Sequence, residues 1–189
     1  VFVLEAREAA LARGAEVLAE IVGFAMTADA GDLVAPSLDG AVRAMEGALR
    51  DAGLAPGDVG YVNAHGTGTA ANDRTEAEAI AKVFGGRLPL VSATKAMHGH
   101  CIGATGAIEL LAVIMALREG VIAPTLGHAG PDAGVALDVV PGMARRAKVE
   151  VALSNAFAFG GLNAVLALRR GLTDMAAPFR DAAKLSRSA

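Results

Sequence analysis

The stretch "YVNAHGTGTAANDRTEAEAI" (residues 61–80) runs from apolar residues into a histidine, through a Gly-Thr-Gly-Thr turn, and into a helical pattern. The apolar residues 59–63 suit a buried strand, and the paired glycines punctuate it. Asp73 with Glu76 resembles a capping box that opens a helix, and Gly85 supplies its stop. Residues 88–92 then read as a second strand, and 101–119 as a helix apolar nearly all round, hence buried. Strand and helix alternating in this way imply parallel strands in an α/β fold.

Working outward, residues 1–4 read as a short strand and 5–13 as a helix stopped by Gly14. Residues 17–24, rich in Val, Ile and Phe, read as a strand. Residues 37–52 carry Val42, Met45 and Leu49 on one helical face, with Gly53 as the stop. A loop through Pro124, Pro131 and Pro141 leads to two further strands, 148–154 and 163–168, which "NAFAFGG" joins as a hairpin. The expectation is a layered α/β fold: a mixed sheet with helices packed on it, closing on a β-hairpin. Residues 1–170 form one lobe in this reading, and 171–189 a polar C-terminal tail.

The chain has 189 residues, 53% of them apolar, and a mean hydropathy of +0.45, high for a free-standing domain. No apolar run reaches the roughly 18 residues of a membrane span, so the surplus is expected to face a partner chain or a further part of the protein. Net charge is −3 with scattered basic residues, which excludes a nucleic-acid footprint. One cysteine excludes an internal disulfide and suits a cytoplasmic location. The opening "VFVLEAREAALARG" lacks a signal-peptide pattern and reads as a chain entered in mid-fold.

The glycine turn admits two readings. Gly66 to Ala71 fits G-x-G-x-x-A between strand and helix, the pattern of a dinucleotide phosphate cradle. That site also needs an acidic residue about 20 positions on to hold the ribose, and "GGRLPLVSATK" offers none. The alternative is a scaffold for His65. A second constellation, "TKAMHGHCIGATGAIE", places Lys95, His98 and His100 between a strand and a helix start. Both His65 and His100 then lie at carboxyl ends of strands, where α/β sheets build sites. A helix N-terminus disfavours a protonated imidazole, and a neutral one can still donate through one nitrogen. Metal binding at His98, His100 and Cys101 is a rival, weakened because neighbouring turn positions seldom converge on one ion. Two packed histidines with satisfied hydrogen bonds remain the plainest alternative.

"NAHGTGT", "KAMHGHCIGATGAIE" and "SNAFAFGGLNAVL", in this order and spacing, resemble the C-terminal half of an elongating beta-ketoacyl-ACP synthase of the thiolase superfamily. The likeness covers residues 1–169. It implies one half of a thiolase-like layered fold, with the nucleophilic cysteine in an N-terminal ketosynthase half. It also implies a decarboxylative Claisen condensation between an acyl-enzyme and malonyl-ACP. By position, His65 and His100 match the two histidines that donate to the developing enolate, Lys95 the lysine supporting the second histidine, and Glu109 a carboxylate in the same network. Thr67 and Thr69 match hydroxyls that bind a phosphopantetheine arm arriving on the acyl carrier protein, so no resident cofactor or metal is expected. Phe159 matches a gating phenylalanine with Phe157 beside it, and Cys101 an aliphatic position, so it is expected to be a small buried hydrophobe. The resemblance further implies a homodimer of the complete enzyme.

Departures from the family pattern are Ala158 and Leu162 for Gly and Thr, Gly31-Asp32-Leu33-Val34 for a polar segment, and His98 for a small hydroxyl residue. They suggest a specialised synthase of the nodulation or secondary-metabolite kind. A non-catalytic partner resembling a chain-length factor, or a truncated fragment, are the competing readings. Such factors typically lose catalytic residues, and this chain keeps both histidines and the lysine.

Overall fold

The computed structural model describes residues 1–130 and 136–171. The expected tail therefore lies, beyond Gly171, outside the described residues. Residues 1–4 form no strand; Val1, Val3 and Leu4 are exposed, and a lone extended segment without a paired neighbour gains no ladder hydrogen bonds. Helix α1 (Arg7–Ala12) follows, then strand β1 (Ala19–Ala28). Helix α2 (Leu38–Asp51) starts where Ser37 accepts a hydrogen bond from the Gly40 amide at 3.3 Å, and it buries Val42, Met45 and Leu49 as their spacing predicts.

Strand β2 (Tyr61–Asn63) is wholly buried and feeds α3 (Ala70–Phe84). The cap of α3 is Thr69, whose hydroxyl accepts from the Asn72 amide; Asp73 and Glu76 do not form the expected capping box. Glu76 is drawn back into the preceding turn, and Asp73 accepts from the Gly68 amide at 3.2 Å. Strand β3 (Leu90–Ser92) leads to the one-turn helix α4 (Lys95–His98), then α5 (Thr105–Glu119) after a 3₁₀ turn, Ile102–Ala104. The long helix thus starts later than expected, because Gly99 and Ile102 both take positive φ, +77° and +48°, which breaks the helical path. Cys101 lies in this turn and is exposed, correcting the expectation of a buried hydrophobe. Nor is α5 buried all round, since Leu111 and Met115 are exposed.

The proline-punctuated loop holds three two-residue strands that its sequence hid: β4 (Val121–Ile122), β5 (Asp138–Val139) and β6 (Arg145–Arg146). Strands β7 (Val151–Ala158) and β8 (Leu162–Arg170) close the fold as an antiparallel hairpin. Its turn is tighter than expected, because Asn155 to Ala158 stay in the ladder and Ala158 pairs with Leu162.

The main sheet has six strands in the order β1-β8-β7-β2-β3-β5, while β4 and β6 pair separately. Strands β7, β2, β3 and β5 run parallel, and β8 is antiparallel to both β1 and β7. The expected mixed sheet is therefore present. Alternation along the strands sends Val62 and Leu153 to one face, packed with Met45 of α2 and Ile80 of α3. Tyr61 and Ala152 turn to the other, packed with Val113 and Leu117 of α5. Beside α5 the second face stays open. Gly23 and Ala25 of β1 abut α2, so Phe24 and Met26 point to the α5 side, where they are exposed along with Leu111 and Met115.

Candidate active site

Parallel β2 and β3 end side by side, Asn63 opposite Ser92, and the two histidine loops leave from their carboxyl ends. His65 is set by its backbone. Its amide donates to Glu76 Oε1 at 2.8 Å, and the Gly66 amide donates to Glu76 Oε2 at 2.9 Å. Gly66 takes φ +42°, and a Cβ there would meet Ala93 Cβ at 2.3 Å, so the turn needs glycine. Glu76 is buried and also accepts from Asn155 Nδ2 at 3.0 Å. Burial pushes its carboxyl above the usual range, against the pull of those amide donors.

Lys95, on α4, is buried beneath His65. Its ammonium donates to the His65 carbonyl, to Glu109 Oε1 at 2.6 Å, and reaches His65 Nδ1 at 3.4 Å. The resemblance implies support for the second histidine; the structure bonds Lys95 to the first instead, through the carbonyl and ring of the loop that follows β2. Glu109 comes from the buried stripe of α5, where burial raises its carboxyl despite the lysine. The His65 imidazole is lowered to about 3, first by burial, then by the charge of Lys95 and by His100.

His100 is held separately. Its Nδ1 lies 3.0 Å from Thr105 Oγ1 and accepts from the Ile102 amide at 3.2 Å. A backbone N–H can only donate, so Nδ1 of neutral His100 is bare and Nε2 carries the proton. The ammonium facing His65 Nδ1 gives that ring the same tautomer. The positive φ of Ile102 is strained for a β-branched residue, and its amide meets His100 there.

The two rings lie edge to face, centroids 5.6 Å apart at 82°. The Phe157 ring, in β7, has its centroid 5.7 Å from that of His65 and is buried. Four of the expected residues, His65, Lys95, His100 and Glu109, are thus brought together with Phe157. Phe159 is not, being 76% exposed at the hairpin tip. Thr67 and Thr69 share a hydrogen bond at 2.9 Å, but Thr69 is also the α3 cap. A cavity of about 710 Å³ opens beside the histidine loops, lined by Thr67, Lys95, His100 and Arg74 among others. No cluster of His, Cys, Asp or Glu suited to a metal ion exists among the described residues.

Sequence reading missed several positioning groups. Glu76 reads in the sequence as part of a helix cap, and Asn155 and Thr105 carry no signal beyond polarity in an apolar context. A further tie lies at the hairpin tip. Asn163 Nδ2 donates to Asp29 Oδ1 at 2.7 Å, the Asp29 amide donates to the Gly161 carbonyl at 2.8 Å, and the Ser37 amide donates to Asp29 Oδ2 at 3.0 Å. This network pins the segment after β1 to the turn that carries Phe159.

The sheet order and the paired histidine loops define a thiolase-like fold of the ketosynthase type. The chain belongs to the beta-ketoacyl synthase family, matching "Beta-ketoacyl synthase, C-terminal domain" over residues 18–129. It is 55% identical over 170 residues to nodulation protein E of Rhizobium sp. (strain N33), covering 89% of this chain and 42% of that protein. It is 48% identical over 174 residues to 3-oxoacyl-[acyl-carrier-protein] synthase 2 of Synechocystis sp., covering 90% of this chain and 42% of the relative. Among solved structures, the ishigamide ketosynthase/chain length factor superposes with a TM-score of 0.84 at 43% identity, over 87% of this chain and 41% of that one. A type II polyketide ketosynthase in complex with its acyl-carrier protein gives 0.84 at 32% identity, over 88% and 42%. The chain spans about 42% of the length of the curated relatives it matches.

Proposed function

We propose that this chain supplies the enolate-stabilising half of a decarboxylative Claisen condensation in fatty-acid or polyketide-type elongation. The carrying observation is the juxtaposition of His65 and His100 at 5.6 Å, each with Nδ1 turned to a donor and Nε2–H left to give. As the malonyl carbon–carboxylate bond breaks, its electron pair moves onto the thioester oxygen. Two N–H donors aimed at that oxygen stabilise it without having to give up a full proton. The carbanion then attacks the acyl thioester, and the cysteine sulfur leaves as thiolate. In this reading the cysteine comes from an N-terminal ketosynthase half, and residues 1–170 form the C-terminal lobe. The open apolar face around Phe24, Met26, Leu111 and Met115 is where the other half packs.

Malonate arrives on the phosphopantetheine arm of an acyl carrier protein, with Thr67 and Thr69 as hydrogen-bond partners for the arm. Phe159, exposed at the hairpin tip, gates entry. The complete enzyme works as a homodimer in the cytoplasm; no helix among the described residues is long and apolar enough to cross a membrane. Identity to nodulation protein E and the departures around Gly31 and Ala158 favour a specialised synthase. The second reading is a partner resembling the chain-length factor named with the ishigamide ketosynthase. Retention of the histidine pair argues against it. The deciding assay joins this chain to a ketosynthase N-terminal half and measures carbon dioxide release from malonyl-ACP, which a non-catalytic partner does not support.

A further inference from the structure

We propose that His98 is a positioning residue: its imidazole clasps the one-turn helix α4 at both ends and thereby holds Lys95 and His100 in place. The ring spans the turn. Nδ1 lies 2.7 Å from the Gly99 carbonyl at the C-terminal end, and Nε2 lies 3.1 Å from Thr94 Oγ1 at the N-terminal end. A carbonyl only accepts, so Nδ1 carries the proton and Nε2 takes the hydrogen of the Thr94 hydroxyl. His98 is therefore the opposite tautomer to His65 and His100. Thr94 occupies the cap position of α4, yet its hydroxyl makes no cap bond to the backbone; it is buried and spends its proton on His98.

The need for a clasp follows from helix physics. A single turn fixes several dihedral angles for one or two hydrogen bonds, so it is unfavourable by itself. They include Met97 N to the Thr94 carbonyl, 2.9 Å, and Gly99 N to the Lys95 carbonyl, 2.7 Å. Both ends of the turn meet the site. Lys95 begins it and bonds His65 and Glu109; Gly99, with φ +77°, ends it and sets the peptide that enters His100. Pinning the Gly99 carbonyl fixes that peptide's orientation. A small hydroxyl side chain at this position could reach only one end.

The structural part stands on this chain alone, and its catalytic consequence rests on the ketosynthase reading. On the 189-residue chain, imidazole ¹⁵N NMR reads the His98 tautomer, and amide hydrogen exchange reads Met97 and Gly99. We expect the Nδ1–H form, with exchange at both amides accelerated about 10-fold or more in H98A and T94V while β7 amides hold. H98N, which keeps a donor at the Nδ1 position, falls between. In the enzyme assembled with an N-terminal half, H98A should lower kcat for carbon dioxide release about 10-fold with KM unchanged, the mark of a transition-state positioning loss. Unchanged amide exchange in H98A overturns the clasp. Open amides with unaltered kcat overturn the positioning role. Should the assembled wild type release no carbon dioxide, the ketosynthase reading fails, and the amide measurement still decides the clasp.

Discussion

Lys95 is bonded to His65 through both the backbone and the ring of that histidine, while its remaining charge is met by Glu109 at 2.6 Å. His100 is held from elsewhere, by Thr105 and the Ile102 amide. The two histidines therefore have different hydrogen-bond partners, although the α4 turn carries both Lys95 and the peptide that enters His100.

Removing Lys95 strands a buried carboxylate. Lys95→Met should destabilise the chain by about 3–5 kcal/mol, since an unpaired buried charge is left behind. The double variant Lys95→Met with Glu109→Leu should recover much of that loss. Urea midpoints of the two single variants and the double variant check this, and additive losses would contradict a buried pair.

His65 should stay neutral through the pH range in which an ordinary histidine titrates. Its folded value of about 3 lies below the unfolded value of 6.5. The unfolded state therefore takes up the proton first. The contribution to stability is complete above about 6.5 and is lost as pH falls toward 3. An NMR titration of the ring from pH 8 to pH 4 should find no transition in the wild type. A midpoint near 6.5 would remove the electrostatic part of the account.

Glu76 holds the His65 loop by taking two backbone amides at once. Glu76→Gln should cost about 1–3 kcal/mol, because one amide group of glutamine must point N–H at N–H. Hydrogen exchange at His65 and Gly66 should rise more than at Asn72, whose amide is capped by Thr69. The reverse order would restore the simple capping-box reading.

At the hairpin tip, Gly161 has φ +73°, and a Cβ there would meet the Asp29 Cβ at 2.7 Å. Gly161→Ala should cost about 1–3 kcal/mol through backbone strain and loosen the Asp29 amide, which donates to Gly161. Exchange at Asp29 together with the thermal midpoint reads both effects. A protected Asp29 amide in the variant would mean that the tie is held elsewhere.

The strand–turn–helix around His65 and the closing hairpin were legible in the sequence because period and punctuation agree there. Val62 and Ile80 fall on one side, and glycines stand where φ turns positive. The convergence of His65 and His100 was legible from strand order, since adjacent parallel strands must end together. What stayed hidden depends on distant pairing. Two-residue strands such as β5 exist only through their neighbour. Glu76 serves a turn behind it, and no local pattern distinguishes that from a cap. The breaks at Gly99 and Ile102 that shorten α5 and expose Cys101 accompany a bond from the Ile102 amide to the His100 ring, which no local pattern announces. The partner of Lys95 likewise follows from how the α4 turn meets the His65 loop, which spacing alone does not reveal.

The proposed donation of His65 and His100 to one developing enolate is tested by His100→Ala. In the enzyme assembled with an N-terminal half, acyl transfer to the cysteine and carbon dioxide release from malonyl-ACP are measured separately. Loss of one preorganised donor should slow decarboxylation by about 10²–10³ while acyl loading largely survives, because loading uses the nucleophile and its own oxyanion donors. A His100→Ala enzyme that decarboxylates at the wild-type rate but fails to load the acyl group would contradict the account.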